Sequence, residues 1–297
     1  MGPAKFLGVD CVEQRSSRCI ALQSGCWKSG STPAVRLDAA LNTWRFAQAC
    51  AIGTSHIERN VPCEDSCFSD VIVSPGDGEI FVAFVADGAG SSPRGGDAAE
   101  LACVKAFELV SNWLKQQQDA IPPSLEDMRG WLESVRAAIT AAADAEGCPV
   151  KDWASTLLGA ICSPKFSAFL QIGDGVIVAR HGETLSPVFW PQSGEYVNET
   201  AFLVSPGSIE NSGLSVGGPV DAVALMSDGL QALALNYQAR TAFQPFFQPL
   251  LENLSSETDI QVFESKLQTF LTSKVVNQRT NDDKTLVLAV RAHASVR

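Results

Sequence analysis

The chain has 297 residues, of which 45% are hydrophobic and 19% are charged, so it can build a sizeable folded core. Its 33 acidic and 22 basic residues leave a formal net charge of -11, which disfavours nucleic acid as a partner and attracts cations. No stretch of about 18 residues is both apolar and uncharged, and the N-terminus does not match a secretory signal. We therefore expect a cytoplasmic globular protein with neither a nucleic-acid nor a membrane partner.

The nine cysteines favour free thiols over a disulfide framework or a zinc site. Their number is odd, and no pair of CxxC units has the spacing of a zinc site. Cys63 and Cys67 flank a short acidic segment, but two thiols without a neighbouring histidine form a poor ligand set for a soft metal. We expect unbridged thiols that catalysis does not require.

Residues 1–43 form the least regular part of the sequence, and we predict an N-terminal extension or peripheral strands there, followed by one domain over residues 44–297. From Trp44, short apolar segments bounded by turn residues predict neighbouring strands: WRFAQACAI, CFSDVIVS and EIFVAFVAD. The next two segments repeat apolar residues every three or four positions and predict helices: DAAELACVKAFELVSNWLKQQQ and SLEDMRGWLESVRAAITAAADAEG. Ser124 is a candidate N-cap for the second helix.

The second half of the chain repeats this order of strands and then helices. Four short apolar segments predict a further group of strands: STLLGAICS, KFSAFLQIGD, GVIVAR and TLSPVFW. A Gly-, Ser- and Pro-rich connection covers 205–219, after which DAVALMS predicts a strand, LENL and TDIQVFESKLQTFLTSKVV predict helices, and TLVLAVRA predicts the last strand. Separate groups of strands and helices indicate an α+β fold. We predict a four-layer α/β/β/α sandwich, with two central, mainly antiparallel sheets flanked by helix pairs.

Acidic residues recur where the predicted strands begin or end. The segment FVAFVADGAGSS runs from a buried strand directly into an Asp-Gly pair. One such pair indicates only a turn. The acidic positions at strand ends are Glu64, Asp65, Asp87, Asp174, Asp228, Asp282 and Asp283. Several carboxylates at strand ends predict one shared site, and oxygen ligands select Mg²⁺ or Mn²⁺ over zinc or copper.

Five segments in order resemble the motifs of the metal-dependent protein phosphatases of type 2C, the PPM family, over roughly residues 44–293. They are PCEDSC, FVAFVADGAGSSPRGGDAAELA, WASTLLGAICSPKFSAFLQIGDGV, VALMSDGL and NDDKTLVLAV. The spelling of GTSH, PCEDS and DGAGSSPRGG is closest to a divergent bacterial branch. The resemblance implies hydrolysis of phosphoserine and phosphothreonine in proteins by a water activated at two Mn²⁺ or Mg²⁺ ions, with a third, weaker ion in some bacterial members.

The resemblance also implies a role for each matching residue. Asp87 matches the acid that bridges the two ions, and Gly88 matches the residue whose carbonyl binds one of them. The predicted catalytic residues are Asp87 and Asp65. The other implied metal ligands are Glu64, Asp65, Asp174, Asp228 and Asp282. Thr156 matches a small-hydroxyl position that we interpret as structural. A rigid strand end would hold the bridging carboxylate more accurately than a loop.

The sequence departs from the family pattern where phosphate should bind. Asn60 occupies the position at which the family usually carries a phosphate-binding arginine. Nearby residues are therefore the candidates for substrate binding: Arg59, Arg94 and His56. For each of them a solvated or structural role is the alternative. Ala89 replaces the histidine that eukaryotic members carry as a proposed general acid, and Asp283 replaces the usual asparagine.

Two alternatives to a protein phosphatase stay open at this point. One is a regulatory or binding domain of the same fold with weak or no activity, and the other is a hydrolase of a small phosphorylated metabolite. The intact set of acids favours an enzyme, whereas Asn60 leaves the regulatory alternative open. The fold does not identify the substrate, because specificity depends on the loops around the site.

Overall fold

A computed structural model describes residues 43–119, 121–191 and 200–292. The predicted N-terminal extension therefore lies outside the described residues, apart from Thr43. In the described part of the chain, two five-stranded antiparallel sheets lie face to face, and each carries helices on its outer face. The predicted four-layer α/β/β/α sandwich is thus confirmed.

The first sheet has the strand order β2–β3–β4–β5–β8. Its strands are β2 (Asp65–Ser74), β3 (Gly78–Asp87), β4 (Leu157–Cys162), β5 (Ser167–Ile172) and β8 (Gly213–Gly217). The second sheet has the order β1–β12–β9–β6–β7. Its strands are β1 (Thr43–Ala51), β12 (Lys284–Ala292), β9 (Ala222–Met226), β6 (Val176–His181) and β7 (Thr184–Pro187). Two short strands, β10 (Leu235–Asn236) and β11 (Thr241–Ala242), pair with each other.

Seven α-helices occur in the described residues. They are α1 (Thr54–Arg59), α2 (Gly95–Gln116), α3 (Leu125–Glu146), α4 (Gln231–Ala234), α5 (Gln244–Ser256), α6 (Ile260–Leu271) and α7 (Lys274–Asn277). Short 3₁₀ helices cover Val150–Trp153 and Asp228–Leu230. Ser124 caps α3 as predicted, because its side chain accepts a hydrogen bond from Asp127 N–H while the Asp127 side chain accepts one from Ser124 N–H. None of the described helices is both long and apolar enough to cross a membrane.

Burial on both faces explains the continuous apolar sequence of β3. Val82 and Phe84 lie in the core between the first sheet and helices α2 and α3. Phe81, Ala83 and Val85 face the other way, into the core between the two sheets. Because successive strand residues point to opposite faces, a strand with a core on each side must be apolar throughout. Packing on both faces of β3 therefore fixes the position of Asp87 at the end of the strand.

Strand β8 and helix α1 are among the elements that the sequence analysis missed. Strand β8 lies inside the segment 205–219 that was predicted as a connection, because its sequence, GLSVG, is short and bounded by glycines, which are typical of loops. It forms the edge of the first sheet by pairing with β5. Helix α1 covers TSHIER, which is too short for a helical period to emerge. It starts directly after β1 and carries two of the candidate site residues.

Candidate metal centre

The acids at the strand ends come from both sheets and gather at one edge of the sandwich. Asp65 opens β2 and Asp87 closes β3, and the antiparallel register pairs these two residues directly. Asp228 follows β9 of the second sheet, and Asp282 precedes β12, which pairs with β9. The fold therefore assembles carboxylates that are far apart in the sequence.

Asp65 is buried, and its two carboxylate oxygens have different surroundings. Oδ2 accepts hydrogen bonds from Ser227 Oγ at 2.7 Å and Thr285 Oγ1 at 2.8 Å. Oδ1 is buried without a hydrogen-bond partner among the described residues. Burial raises the pKa of Asp65 well above its ordinary value, and the charge of Asp283 raises it further, against the two hydroxyl hydrogen bonds. An unpaired buried carboxylate oxygen is an available ligand for a cation.

Asp87 of the first sheet and Asp228 of the second are close enough for each side chain to affect the pKa of the other. Burial raises the pKa of Asp87 well above its ordinary value, and the charges of Asp65 and Asp228 add to this effect. Burial is also the main reason why the pKa of Asp228 is raised to about 6, and the charges of Asp174 and Asp282 contribute to this shift. Asp228 Oδ1, like Asp65 Oδ1, is buried without a described partner. Like charges this close favour either a proton or a cation between them.

The end of β3 is fixed by its neighbours on two sides. Asp87 N–H donates to Thr156 Oγ1 at 2.9 Å, and Thr156 N–H donates to the Asp87 carbonyl at 2.8 Å. On the other side, Gly88 N–H donates to the Glu64 carbonyl at 3.0 Å. A Cβ on Gly88 would overlap the backbone of Gly95 at the start of α2, so only glycine fits here.

Asp174 and Asp282 lie at the rim of the cluster. Asp174 Oδ2 accepts a hydrogen bond from Thr200 Oγ1 at 2.8 Å, and burial raises the pKa of Asp174. Asp282 is exposed, and its Oδ1 accepts the N–H of Asp283 at 2.9 Å. Both are close enough for their charges to raise the pKa of Asp228. The structure thus brings these two predicted ligands to the same site as the buried acids.

Glu64 reaches the cluster from the segment before β2. Burial raises its pKa, whereas the charge of His56 lowers it. The Glu64 backbone is closely held, because its N–H donates to Asp283 Oδ2 at 2.6 Å and its carbonyl accepts from Gly88. Any shift of this segment would therefore move the carboxylate.

The donor set suits a hard divalent cation. The converging side chains are carboxylates with unpaired buried oxygens at Asp65 and Asp228, and hard oxygen ligands are what Mg²⁺ and Mn²⁺ bind. Among the described residues, no group of three His, Cys, Asp or Glu side chains is arranged so that it could hold a metal ion as it stands. The fit therefore rests on the chemistry of the donors and their mutual repulsion, which a cation would relieve.

Asp283 has a role that the sequence analysis missed. Its Oδ1 accepts the N–H of Gly53 and its Oδ2 accepts the N–H of Glu64, both at 2.6 Å. His56 is buried, and its Nδ1 lies 2.9 Å from Asp283 Oδ2 and 3.0 Å from the Pro62 carbonyl. This group of contacts ties α1 and the Glu64 segment to the start of β12. The signal in the sequence was the aspartate that replaces asparagine at 283, together with a histidine in the GTSH motif.

The two candidate arginines differ in their surroundings. Arg59 is exposed on α1, its Nε donates to the Ser55 carbonyl at 3.2 Å, and its charge lowers the pKa of Glu64. Arg94 forms ion pairs with Asp97 at 2.9 Å and with Glu146, and its guanidinium lies over the Trp153 ring at 5.3 Å. Substrate binding by either arginine, or by the buried His56, stays a prediction.

Several of the cysteines can be placed. Cys50, Cys63, Cys148 and Cys162 are thiols in the structure, as predicted. Cys50 Sγ and Cys63 Sγ are 3.3 Å apart, beside the Glu64 segment. The hydrogen bond with Cys50, together with burial, raises the pKa of the Cys63 thiol well above its ordinary value. Burial raises the pKa of Cys162 to about 12.

Comparison with known proteins extends these observations. Residues 52–272 match the family model described as Protein phosphatase 2C. The chain is 35% identical over 253 residues to Serine/threonine-protein phosphatase 3 of Escherichia coli K12, covering 84% of this chain and 99% of that protein. Among solved structures, a bacterial serine phosphatase matches with a TM-score of 0.59 at 13% identity, over 86% of this chain and 100% of that one. The catalytic domain of the serine threonine protein phosphatase PstP, in complex with two manganese ions, matches with a TM-score of 0.56 at 15% identity, over 84% and 98%.

Proposed function

The chain belongs to the protein phosphatase 2C family and is a metal-dependent serine/threonine protein phosphatase; on that premise, we propose that the acids at the strand ends hold two divalent cations, Mn²⁺ or Mg²⁺, between the two sheets. One observation carries the proposal. Asp65, Asp87 and Asp228 are brought together from both sheets, and the pKa of each is raised by burial and by its acidic neighbours. The PstP structure named above holds two manganese ions.

The proposed ligands divide between the two sides of the cluster. Asp87 pairs with Asp65 in the sheet, and the charges of both Asp65 and Asp228 act on it, so we assign it the bridging position, with the Gly88 carbonyl beside it. Asp228 and Asp282 complete one side, whereas Glu64 and Asp65 serve the other. Asp174, at the rim, is the candidate for a third, weaker ion. When bound, such ions polarise phosphoryl oxygens and lower the pKa of a water molecule, so that it can lose a proton and attack phosphorus near neutral pH.

The protein itself contributes rigidity and charge. Thr156 and the backbone of Glu64 hold the Asp87–Gly88 turn by hydrogen bonds, which keeps the bridging carboxylate at a fixed position. Arg59 is the candidate for holding the substrate phosphate, because it is exposed and its charge acts on Glu64. A planar guanidinium can donate two parallel hydrogen bonds to a phosphoryl group. Arg94 is the second candidate.

His56 and Asp283 act as positioning residues in this proposal. Asp283 accepts the Glu64 N–H and lies within hydrogen-bond distance of the buried His56 Nδ1, while His56 Nε2 lies 3.9 Å from Glu64 Oε2. The pair therefore orients Glu64 from behind, in the way that outer residues commonly orient metal ligands. We propose this role for His56 in place of direct contact with substrate.

The substrates we propose are proteins phosphorylated on serine or threonine, as in the name of the Escherichia coli relative. The cytoplasm is the compartment we propose, because an odd number of cysteines favours free thiols, which a reducing compartment maintains. The test is hydrolysis of a phosphoserine or phosphothreonine peptide with Mn²⁺, with Mg²⁺, and after chelation. Turnover that depends on the cation is expected. Hydrolysis of a small phosphorylated metabolite, but of no phosphopeptide, would favour the metabolite hydrolase, and no turnover with any of them would favour the regulatory alternative.

A further inference from the structure

Cys50 and Cys63 place two thiols in contact beside the proposed metal centre. Their Sγ atoms are 3.3 Å apart, although Cys50 lies near the end of β1 and Cys63 lies between α1 and β2. Both side chains are partly buried, and neither takes part in the proposed mechanism. We propose that Cys50 and Cys63 form a reversible disulfide that weakens cation binding by Glu64 and Asp65. Only the effect on cations rests on the proposed function.

The disulfide would act on Glu64 through the backbone. A disulfide bond is about 2 Å long, so the two sulfur atoms must move roughly 1 Å closer together. Cys63 is bonded directly to Glu64, whose N–H and carbonyl are held by Asp283 and Gly88. A Cβ on Gly96 of α2 would lie 3.3 Å from Glu64 Cα, so the helix leaves little space on that side. Movement of Cys63 therefore changes the position of the Glu64 carboxylate.

The disulfide would act on Asp65 through Thr285. Thr285 Oγ1 lies 3.1 Å from Cys50 Sγ and 2.8 Å from Asp65 Oδ2. The hydroxyl has one hydrogen, and the Asp65 carboxylate is a stronger acceptor for it than the sulfur, so Cys50 Sγ acts mainly as a packing neighbour of Oγ1. When Cys50 Sγ moves toward Cys63, Thr285 loses this neighbour. The hydroxyl that holds Asp65 Oδ2 is then less well positioned, and so is the carboxylate that would bind the cation.

We propose hydrogen peroxide as the oxidant, because it is small enough to reach partly buried thiols. One sulfur, as its thiolate, attacks the peroxide, the O–O bond breaks, and the sulfenic acid and one water form after proton transfer. The second thiol attacks the sulfenic sulfur, the S–S bond forms, and the S–O bond breaks with loss of a second water. The two thiols lose two electrons and two protons, and the peroxide gains both.

The test begins with the identity of the disulfide. Full-length protein treated with a chelator is exposed to hydrogen peroxide for several hours, its remaining thiols are blocked in denaturant, and it is digested with trypsin and a glutamate-specific protease. Cleavage after Glu64 separates Cys63 from Cys67. Mass spectrometry should find the Cys50 peptide joined to the Cys63 peptide, and dithiothreitol should release it. Absence of this product, or a dominant link through Cys67, overturns the proposal.

The effect on cations is measured by thermal unfolding rather than by turnover. After removal of chelator and peroxide, the oxidised protein should need severalfold more Mn²⁺ for half of its stabilisation, and dithiothreitol followed by desalting should restore the original value. Cys50→Ser should abolish the response to peroxide, as should Cys63→Ser if the first variant does not fold. Cys148→Ser is the matched control and should respond like the parent. The Cys148 thiol also takes part in a hydrogen bond, which Trp153 Nε1 donates to Cys148 Sγ at 3.2 Å.

Two results separate this proposal from the proposed function. An unchanged Mn²⁺ requirement in the cross-linked protein, or the same response to peroxide in Cys50→Ser, overturns the proposed effect of the disulfide. If the reduced protein shows no Mn²⁺ stabilisation, the proposed metal centre fails and the proposed effect fails with it. The peptide map still decides in that case whether the disulfide forms.

Discussion

Two groups of ionisable side chains meet at this edge of the sandwich, and their carboxylates are bonded in opposite ways. In the acid cluster of Asp65, Asp87 and Asp228, burial and like charge raise every pKa, and buried oxygens lack described partners. In the neighbouring support group of Asp283 and His56, both Asp283 oxygens accept backbone N–H groups, and the histidine lies within hydrogen-bond distance. The two groups touch through Glu64 and Asp282.

This difference teaches how to assign roles to buried acids. An acid whose oxygens are filled by protein donors stabilises the fold as an anion and needs no further partner. An acid that is buried among other acids and keeps an oxygen without a donor costs stability until a proton or a cation arrives. The acid cluster therefore lowers the stability of the metal-free fold but can bind a cation, and the support group holds the cluster in place.

The largest expected effect comes from breaking the acid cluster at its centre. Asp87→Asn should lower Mn²⁺-dependent hydrolysis of p-nitrophenyl phosphate by about a thousandfold or more, which corresponds to roughly 4 kcal/mol of transition-state stabilisation. The reason is that a neutral group at the bridging position weakens the binding of both ions at once. Without metal the variant should be at least as stable as the parent, because one buried charge is removed. A folded variant that keeps most of its activity would contradict the two-metal assignment.

Removal of the metal should reveal the cost of the acid cluster directly. At a Mn²⁺ concentration about 100 times its dissociation constant, the parent gains about 2.7 kcal/mol per ion, or an increase in Tm of roughly 5 to 10 °C. Chelation should reverse this increase, as measured by calorimetry, and Asp228→Asn should lose most of it.

The control for the metal experiment is Asp77→Asn, a buried acid at the far end of the β2–β3 hairpin, where it pairs with Lys165. This variant should keep the full response to Mn²⁺. Equal loss of the response in both variants would mean that the cation acts on the overall negative charge rather than on the cluster.

The support group should give a smaller and different loss. In Asp283→Asn, the amide NH₂ must face one of the two N–H donors that the carboxylate now accepts, at Gly53 or Glu64. We expect about 1 to 3 kcal/mol less stability and about a tenfold higher Mn²⁺ requirement, with kcat recovered at saturating metal. The measurement is activity against Mn²⁺ concentration. A kcat loss that saturating Mn²⁺ leaves uncorrected would place Asp283 in the chemistry instead.

A double-mutant cycle tests whether His56 works through Asp283. His56→Asn and Asp283→Asn should be less than additive in the Mn²⁺ requirement, since each breaks the same contact at 2.9 Å. Additive effects would show that the two residues support Glu64 separately.

The contrast between the two groups also marks the limit of sequence reasoning. The acid cluster was predictable, because each acid ends or begins an apolar strand and the fold class brings such ends together. The support group was not, because Gly53, His56 and Glu64 meet Asp283 across more than 200 residues of sequence. The contact of Cys50 with Thr285 is equally distant. Periodicity describes which face a side chain takes, but it does not describe which loop crosses a given strand end.

The smallest effect, and the finest test of the comparison, concerns the two arginines. Arg94 resembles the support group, with its guanidinium engaged by Asp97, Glu146 and Trp153, whereas Arg59 is exposed and can meet an incoming ligand. Arg59→Ala should therefore raise KM for p-nitrophenyl phosphate severalfold with kcat nearly unchanged, because it removes binding that the ground state and the transition state share.

Arg59→Lys should recover part of that loss, since an ammonium group keeps the charge but not the planar pair of donors. Arg94→Ala is the matched control, and we expect it to lower Tm slightly and leave KM at the parent value. The opposite result, with KM raised in Arg94→Ala alone, would mean that phosphate displaces the Asp97 and Glu146 contacts when it binds. If both alanine variants keep the parent KM, neither arginine holds the phosphate, and the cations themselves must supply the positive charge that substrate binding requires.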